Sequence, residues 1–397
     1  MFAEEQFEDA IELLERAALV TRDGMEMPLL LDPCTQQNEG GARCWLLTHA
    51  EKLNEFLNPF GIDFDELREG SLEFNMIRDD PMAPCDPKAA VLFLATLWFL
   101  REHRCLSGVR LNVSVLARFH LVRLLQHITF SKRVVTAHLT GVEGIELPFE
   151  VCPLVRLLDQ TELLTHVSLD TVTLMGAEGT CLYSLVVTNP GLHCLALRNV
   201  TMKDSVLARL AQEFKEHHRP REFELRGRIR YCATRTELVS RLLDSSMQII
   251  SLDITCHLTQ LFEKLTDNKQ LMELELGRCC AVGACLDARA SALAQNVMLR
   301  LLTLSLDIAC MSATSCSWKH LGDLVQNSHG LETLCLRDSC LGKHAARPIS
   351  EALKTNENLQ TLNLVGCGFS CAEALSFVRA LSESASPSMK VKLGVLT

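Results

Sequence analysis

The chain has 397 residues, of which 48% are apolar and 5% aromatic, with a mean hydropathy of +0.13, and leucine, present about 70 times, is the largest single part of the apolar content. Such a composition excludes a disordered chain and disfavours a multi-domain enzyme built on ordinary aromatic cores. The formal charge of −10 is uneven, with about −13 in residues 1–100 and about +3 in the remainder.

The first residues lack a positive segment leading into an apolar core, and the longest apolar run, residues 89–100, is too short to cross a bilayer. These features predict a soluble, cytoplasmic protein with no membrane partner, whose 18 cysteines are reduced thiols. Residues 4–20 read as an acidic amphipathic helix with Phe7, Ile11, Leu14 and Ala18 on one stripe. Cys34 and Cys44 bracket a polar loop, and further helical pieces are expected near residues 50–57 and over 89–102, with residues 79–84 as a linker. Residues 1–95 are therefore expected to form an acidic, mostly helical region, which either caps the rest of the chain or docks a second partner. An F-box opening of the Leu-Pro-x-Glu kind is absent.

From residue 96 to 397 the chain repeats itself about every 28 residues. The clearest unit, residues 356–367, fits N-x-x-L-x-x-L-x-L-x-x-C. Sliding that frame along the chain gives Leu106/Val109/Leu111, Val134/Ala137/Leu139, Leu164/Val167/Leu169, Leu192/Leu195/Leu197 and Pro220/Phe223/Leu225. It continues through Ile249/Leu252/Ile254, Leu271/Leu274/Leu276, Leu299/Leu302/Leu304, Leu331/Leu334/Leu336, Leu359/Leu362/Leu364 and a degenerate Ser388/Val391/Leu393, about eleven repeats in all. Asparagine stands three residues before the first apolar position at Asn189, Asn268, Asn296 and Asn356. The last two apolar positions of each unit are two apart and point to one face of a strand. Amphipathic segments at 204–217, 236–244, 257–266, 287–295, 318–326, 349–354 and 372–382 supply returning helices.

A period near 28 with a full helix in each unit resembles the ribonuclease-inhibitor type of leucine-rich repeat. The resemblance implies an α/β solenoid, a horseshoe with a parallel sheet on its concave face and helices on its convex face. Similar arrays occur in NOD-like receptors, in the Ran GTPase-activating protein and in substrate receptors of ubiquitin ligases. Leu53-Asn54-Glu55-Phe56-Leu57-Asn58-Pro59-Phe60-Gly61 and Phe99-Leu100-Arg101-Glu102-His103-Arg104-Cys105-Leu106 also resemble arthropod, especially tick, NOD-like-receptor-like proteins. The resemblance implies a non-enzymatic scaffold that binds a protein partner, in innate-immune sensing or as a ubiquitin-ligase adaptor.

Motifs for chemistry are missing from the sequence. Leu341-Gly342-Lys343-His344 lacks the glycine-rich loop of a P-loop, so nucleotide-driven oligomerisation does not carry over, and no G-x-S-x-G or H-E-x-x-H occurs. No cofactor is expected. Cys279, Cys280 and Cys285, or Cys367 and Cys371, come nearest to metal spacing, but neither set has a second pair. Cys279, Cys310, Cys340 and Cys367 instead suit the bends of the repeats, and no metal site is expected. The alternative function is a Ran-type GTPase-activating protein, for which Arg198, Arg226 and Arg337 are the candidate arginines; the acidic tail typical of that family is absent.

Strand residues between the buried leucines face the concave side. With adjacent strands about 4.8 Å apart, Glu222, Glu224, Asp253, Glu273 and Glu275 are expected to form one acidic patch for a partner with a basic surface and not for nucleic acid. The competing reading is a solvated face neutralised by Arg221, Arg226 and Arg228. The apolar residues 391–396 form a final strand whose edge is expected to offer a route to a homodimer.

Overall fold

In a computed structural model of the protein, the residues described are 34, 44–58, 61–76, 100, 103–112, 133–141, 161, 163–174, 178–227, 235–253, 256–257, 264–280, 296–307, 318–339, 341–384, 386 and 388–395. The expected helix at 4–20, the linker at 79–84 and the segment 287–295 lie outside them, as do Arg228, Cys285, Cys310 and Cys340. The chain divides into two compact units, Met1–Lys203 and Asp204–Thr397.

In the first unit, helix α1 (Trp45–Leu57) leads into a hairpin of β1 (Ile62–Arg68) and β2 (Ser71–Met76). Alternation of Ile62 and Phe64 with Leu72, Phe74 and Met76 builds its buried face, and Gly70, at φ 79°, makes the turn. The Asn54 side chain joins helix to hairpin, donating to the Phe64 carbonyl at 2.8 Å and accepting from the Phe64 N–H at 2.7 Å. Strand β2 then pairs in parallel with β3 (Leu106–Asn112), which is followed by parallel β4 (Thr136–Thr140) and β5 (His166–Asp170). A short ladder joins β6 (Thr173–Leu174) to β8 (Thr201–Met202). Helix α2 (Glu178–Thr188) precedes β7 (Cys194–Arg198), which lies parallel to β5. The pairing of Leu72 with Leu106 runs across residue 95, so hairpin and repeats share one sheet, and the described part of the N-terminal region mixes strand with helix.

The second unit opens with α3 (Asp204–His217), spanning the expected segment, then β9 (Glu222–Arg226), α4 (Arg235–Leu243), β10 (Ile249–Leu252), β11 (Cys256–His257), β12 (Glu273–Cys280) and β13 (Leu301–Asp307). It continues with α5 (Lys319–Asn327), β14 (Thr333–Cys335), α6 (Gly342–Thr355), β15 (Thr361–Phe369), α7 (Cys371–Ser382) and β16 (Lys390–Val395). Strands β9, β10, β12, β13, β14, β15 and β16 pair in that order, all parallel, and β11 pairs with β12. Both units thus have the α/β leucine-rich-repeat architecture.

Register confirms the frame at Leu299, because Leu302 and Leu304 pair with Leu274 and Leu276. It corrects the frame at Ile249. Ile250 and Leu252 align with Phe223 and Leu225 on one side and with Leu274 and Leu276 on the other, so this unit reads Met247/Ile250/Leu252. Ile250, Leu252 and Ile254 form one period-2 apolar series, within which the expected frame and the observed one differ by two residues, and the neighbouring strands select Ile250 and Leu252 as the inward pair.

The inward pairs, from Ala137/Leu139 to Leu362/Leu364, are at most 2% exposed. In five of the repeats the chain turns through a left-handed residue two positions after the second inward residue: Thr171, Asn199, Gly227, Asp338 and Gly366. The next position is buried as Val172, Val200, Ser339 or Cys367, and the Cys367 thiol donates to the Leu336 carbonyl at 2.9 Å. At Asn268, Asn296 and Asn356 the asparagine of the motif locks neighbouring repeats together, whereas the Asn189 amide donates to the Leu185 carbonyl within its own repeat. The Asn356 amide donates to the Val325 carbonyl of the previous repeat at 2.6 Å, while its Oδ1 accepts from the N–H groups of Asn358 at 3.0 Å and Leu359 at 2.7 Å. Asn296 and Asn268 repeat this arrangement on the carbonyls of Leu265 and Leu243.

Asn356 is 1% exposed, so Asn356→Ala leaves buried backbone groups without their partner. The expected loss is about 1–3 kcal/mol, read as a lower urea midpoint, with hydrogen-exchange protection falling first in the repeats around β15.

Candidate protein-binding face

Residues between the inward leucines emerge on the open face of each sheet. In the second unit the register places Glu222, Ile249, Glu273 and Leu301 in one row and Glu224, Ser251, Glu275 and Thr303 in the next. The expected acidic patch is therefore interrupted. Ile249 stands between Glu222 and Glu273, and Ser251 between Glu224 and Glu275. Asp253 is displaced from the second row to a position past the end of β10, where its backbone N–H donates to the Leu225 carbonyl at 2.8 Å. It packs over Gly277, where a Cβ would stand 2.9 Å from the Asp253 Cα; this glycine marks the bulge at which β12 slips against β13.

Arginine neutralises part of the patch. Arg226 reaches Glu224 Oε1 at 2.7 Å and, across the intervening strand, Glu275 Oε2 at 2.7 Å. Ser251 donates to the same Glu275 oxygen at 2.9 Å, and Arg337 approaches the other at 3.5 Å. Two strand carboxylates, Glu224 and Glu275, thus meet two guanidiniums, which tie β9, β10, β12 and the end of β14 into one polar network. Arg337, which the sequence did not suggest for this neutralisation, comes from a repeat far along the chain, while Arg228 lies outside the described residues. Arg226 and Arg337 are both engaged with carboxylates and so do not stand clear of the face as an arginine finger would.

The first unit presents a different face. Glu73 is buried beside Arg110 at 3.1 Å. Burial pushes its carboxyl above the ordinary range, against the pull of Arg110. His138 lies between Arg110 and Ser168 in register, and the His166 ring packs 5.8 Å from His193. Burial first, then the positive fields of Arg110, Arg198 and His166, hold His138 below the usual histidine range.

Of the cysteines nearest to metal spacing, Cys367 is buried in its repeat and Cys371 is exposed at the start of α7, while Cys279 and Cys280 lie on β12. The sequence reading missed a different group, Cys34, Cys44, His103 and Cys105, which the fold brings together in the first unit.

Among solved structures the chain is similar to an internalin from Listeria monocytogenes, 13% identical over 83% of this chain and 88% of that one, with a TM-score of 0.38. It is also similar to a chain of the yeast Rad7–Elc1 complex, 14% identical over 73% of this chain and 67% of that one, with a TM-score of 0.43. No protein family and no curated protein matches the sequence.

A histidine held neutral in the fold binds its proton first in the unfolded chain, so its effect on stability is a loss as pH falls below about 6.5. Lowering pH from 7.5 to 5.5 should reduce the melting temperature, and His138→Gln should make that reduction smaller. Equal reductions in both proteins would remove His138 as a source.

Proposed function

We propose that this chain is a non-enzymatic scaffold that binds a protein partner on the open face of its repeat sheet. The observation that carries the reading is the polar network of Glu224, Ser251, Glu275, Arg226 and Arg337, which is built from side chains of several repeats on a face whose main chain is already fully engaged in strand pairing. A rigid backbone with such a surface meets a folded partner at little entropic cost. Glu222 and Glu273 flank the network, so the face favours a partner with a basic surface, and the attraction should steer association at low salt. The same geometry suits either an immune sensor or a ubiquitin-ligase substrate adaptor, acting in the cytoplasm.

Among the described residues no helix is long and apolar enough to cross a membrane. The reading as a Ran-type GTPase-activating protein draws no support from the two engaged arginines, and addition of the protein should leave GTP hydrolysis by Ran unchanged. Strand β16 ends the strand order, with Val391 and Leu393 only half-buried, and its edge is the proposed route to a homodimer. Lys390 and Lys392 are exposed on that strand, so pairing there works against two like charges on each copy. A monomer mass by light scattering at every concentration would eliminate the dimer.

The principal test is a double charge reversal. Glu273→Lys with Glu275→Lys should weaken a captured basic protein severalfold, more at low salt than at high salt, without lowering the melting temperature below the folded range. Unchanged binding would remove the acidic face from the proposal.

A further inference from the structure

Four side chains of metal-ligating type converge in the first unit from three stretches of chain. Cys34 lies ahead of α1, Cys44 is the residue immediately before it, and His103 and Cys105 flank Arg104 at the entrance to β3. One ligand atom from each, three Sγ and a ring nitrogen, all lie within 4.8 Å of one another. None of the four residues is more than 3% exposed. Cys44 Sγ is 3.5 Å and Cys105 Sγ 4.0 Å from His103 Nδ1. In a tetrahedral zinc site, with Zn–S of about 2.3 Å and Zn–N of about 2.05 Å, sulfur and nitrogen ligands stand about 3.6 Å apart. The observed separations bracket that edge.

We propose that Cys34, Cys44, His103 and Cys105 form a structural zinc site of the Cys3His type, which fastens the chain ahead of α1 to the first repeat. Three soft thiolates and one imidazole are a donor set that selects zinc over magnesium, calcium or manganese. Four protein ligands close the coordination shell and leave no position for water or substrate, so the site is structural and not catalytic. An apolar thiol cluster is the competing arrangement. The structural cysteine Cys367 illustrates it, standing in its own repeat with its thiol on a backbone carbonyl, whereas here three sulfurs share one imidazole. Hydrogen bonding to Cys34 and Cys44, then burial, pushes the Cys105 thiol up. A bound Zn2+ inverts that preference, because a coordinating thiol is deprotonated outright.

The position of His103 gives the site its role in the array. His103 stands three residues before Leu106, the place that Asn296 and Asn356 occupy before Leu299 and Leu359. There the asparagine amides reach back to the preceding repeat. No such repeat precedes Leu106 in the sequence pattern, and an imidazole directed at Cys44 replaces the amide. Zinc would make the backward link that asparagine makes elsewhere.

The experiment uses the full chain purified in reducing buffer without chelator. Elemental analysis should find about one zinc per chain. Cys105→Ala should lower the content to near zero, and Cys367→Ala should leave it unchanged. Cobalt substitution should give the intense d–d bands and the sulfur-to-metal charge transfer of a tetrahedral thiolate site. Ligand variants can also fail by unfolding, so the wild-type protein is treated with a chelator as well. Its melting temperature should fall and recover with about one equivalent of Zn2+ but not with Mg2+. Metal-free protein that binds no cobalt and melts unchanged in chelator would overturn the proposal. So would a disulfide between any two of these cysteines in protein isolated without reductant, or zinc retained at full stoichiometry in Cys105→Ala.

Discussion

Every repeat depends on its neighbours to bury one apolar strand face. Two inward residues per strand, such as Phe223 and Leu225 or Leu362 and Leu364, are almost wholly buried, and they are covered by the corresponding pairs of adjacent strands and by the helices behind them. A single unit of this length could not offset the entropy of ordering its own chain. The remaining features of the structure serve this stacking. In five repeats a left-handed residue at one fixed position turns the chain out of the strand, and Asn296 and Asn356 join the end of one repeat to the start of the next through buried hydrogen bonds.

Parallel pairing also determines what the surface can carry. Inward positions are committed to the core, so variation is confined to alternate strand residues and accumulates on one face. In the second unit those positions hold carboxylates, of which Glu275 is offset by arginines from other repeats, most directly by Arg226, which spans from β9 to β12. Such pairs on a half-exposed face add little stability in water. Their effect is to fix side-chain positions on that face. The first unit carries histidines and Arg110 at the equivalent places, so the two units display different chemistry on one architectural plan.

The first strands of a repeat sheet face a particular difficulty, because nothing of the same kind precedes them. Here a hairpin supplies the outer strands and α1 packs onto β1, with the Asn54 side chain satisfying both backbone groups of Phe64. The cluster of three cysteines and a histidine lies at this same end. Its buried polar atoms would be costly in an apolar core without partners, and they are grouped where the array most needs an additional tie.

Sequence alone determined the repeat. Spacing near 28 residues located most strands of the array and the helices at 204–217, 236–244, 318–326 and 372–382, because each rests on local periodicity that a strand or helix must obey. The motif asparagines were visible as well, though their role was not. Tertiary structure decided the rest. At residues 250–254 one apolar series admits two frames shifted by two residues, and only pairing with β9 and β12 selected Ile250 and Leu252 as the inward pair, which moved Asp253 out of the acidic rows. The Arg226–Glu275–Arg337 network joins residues far apart in sequence, and so do the four ligand-type side chains around His103. Periodicity records which face of an element a residue occupies, whereas a site assembled from separate segments exists only once the chain has been folded back on itself.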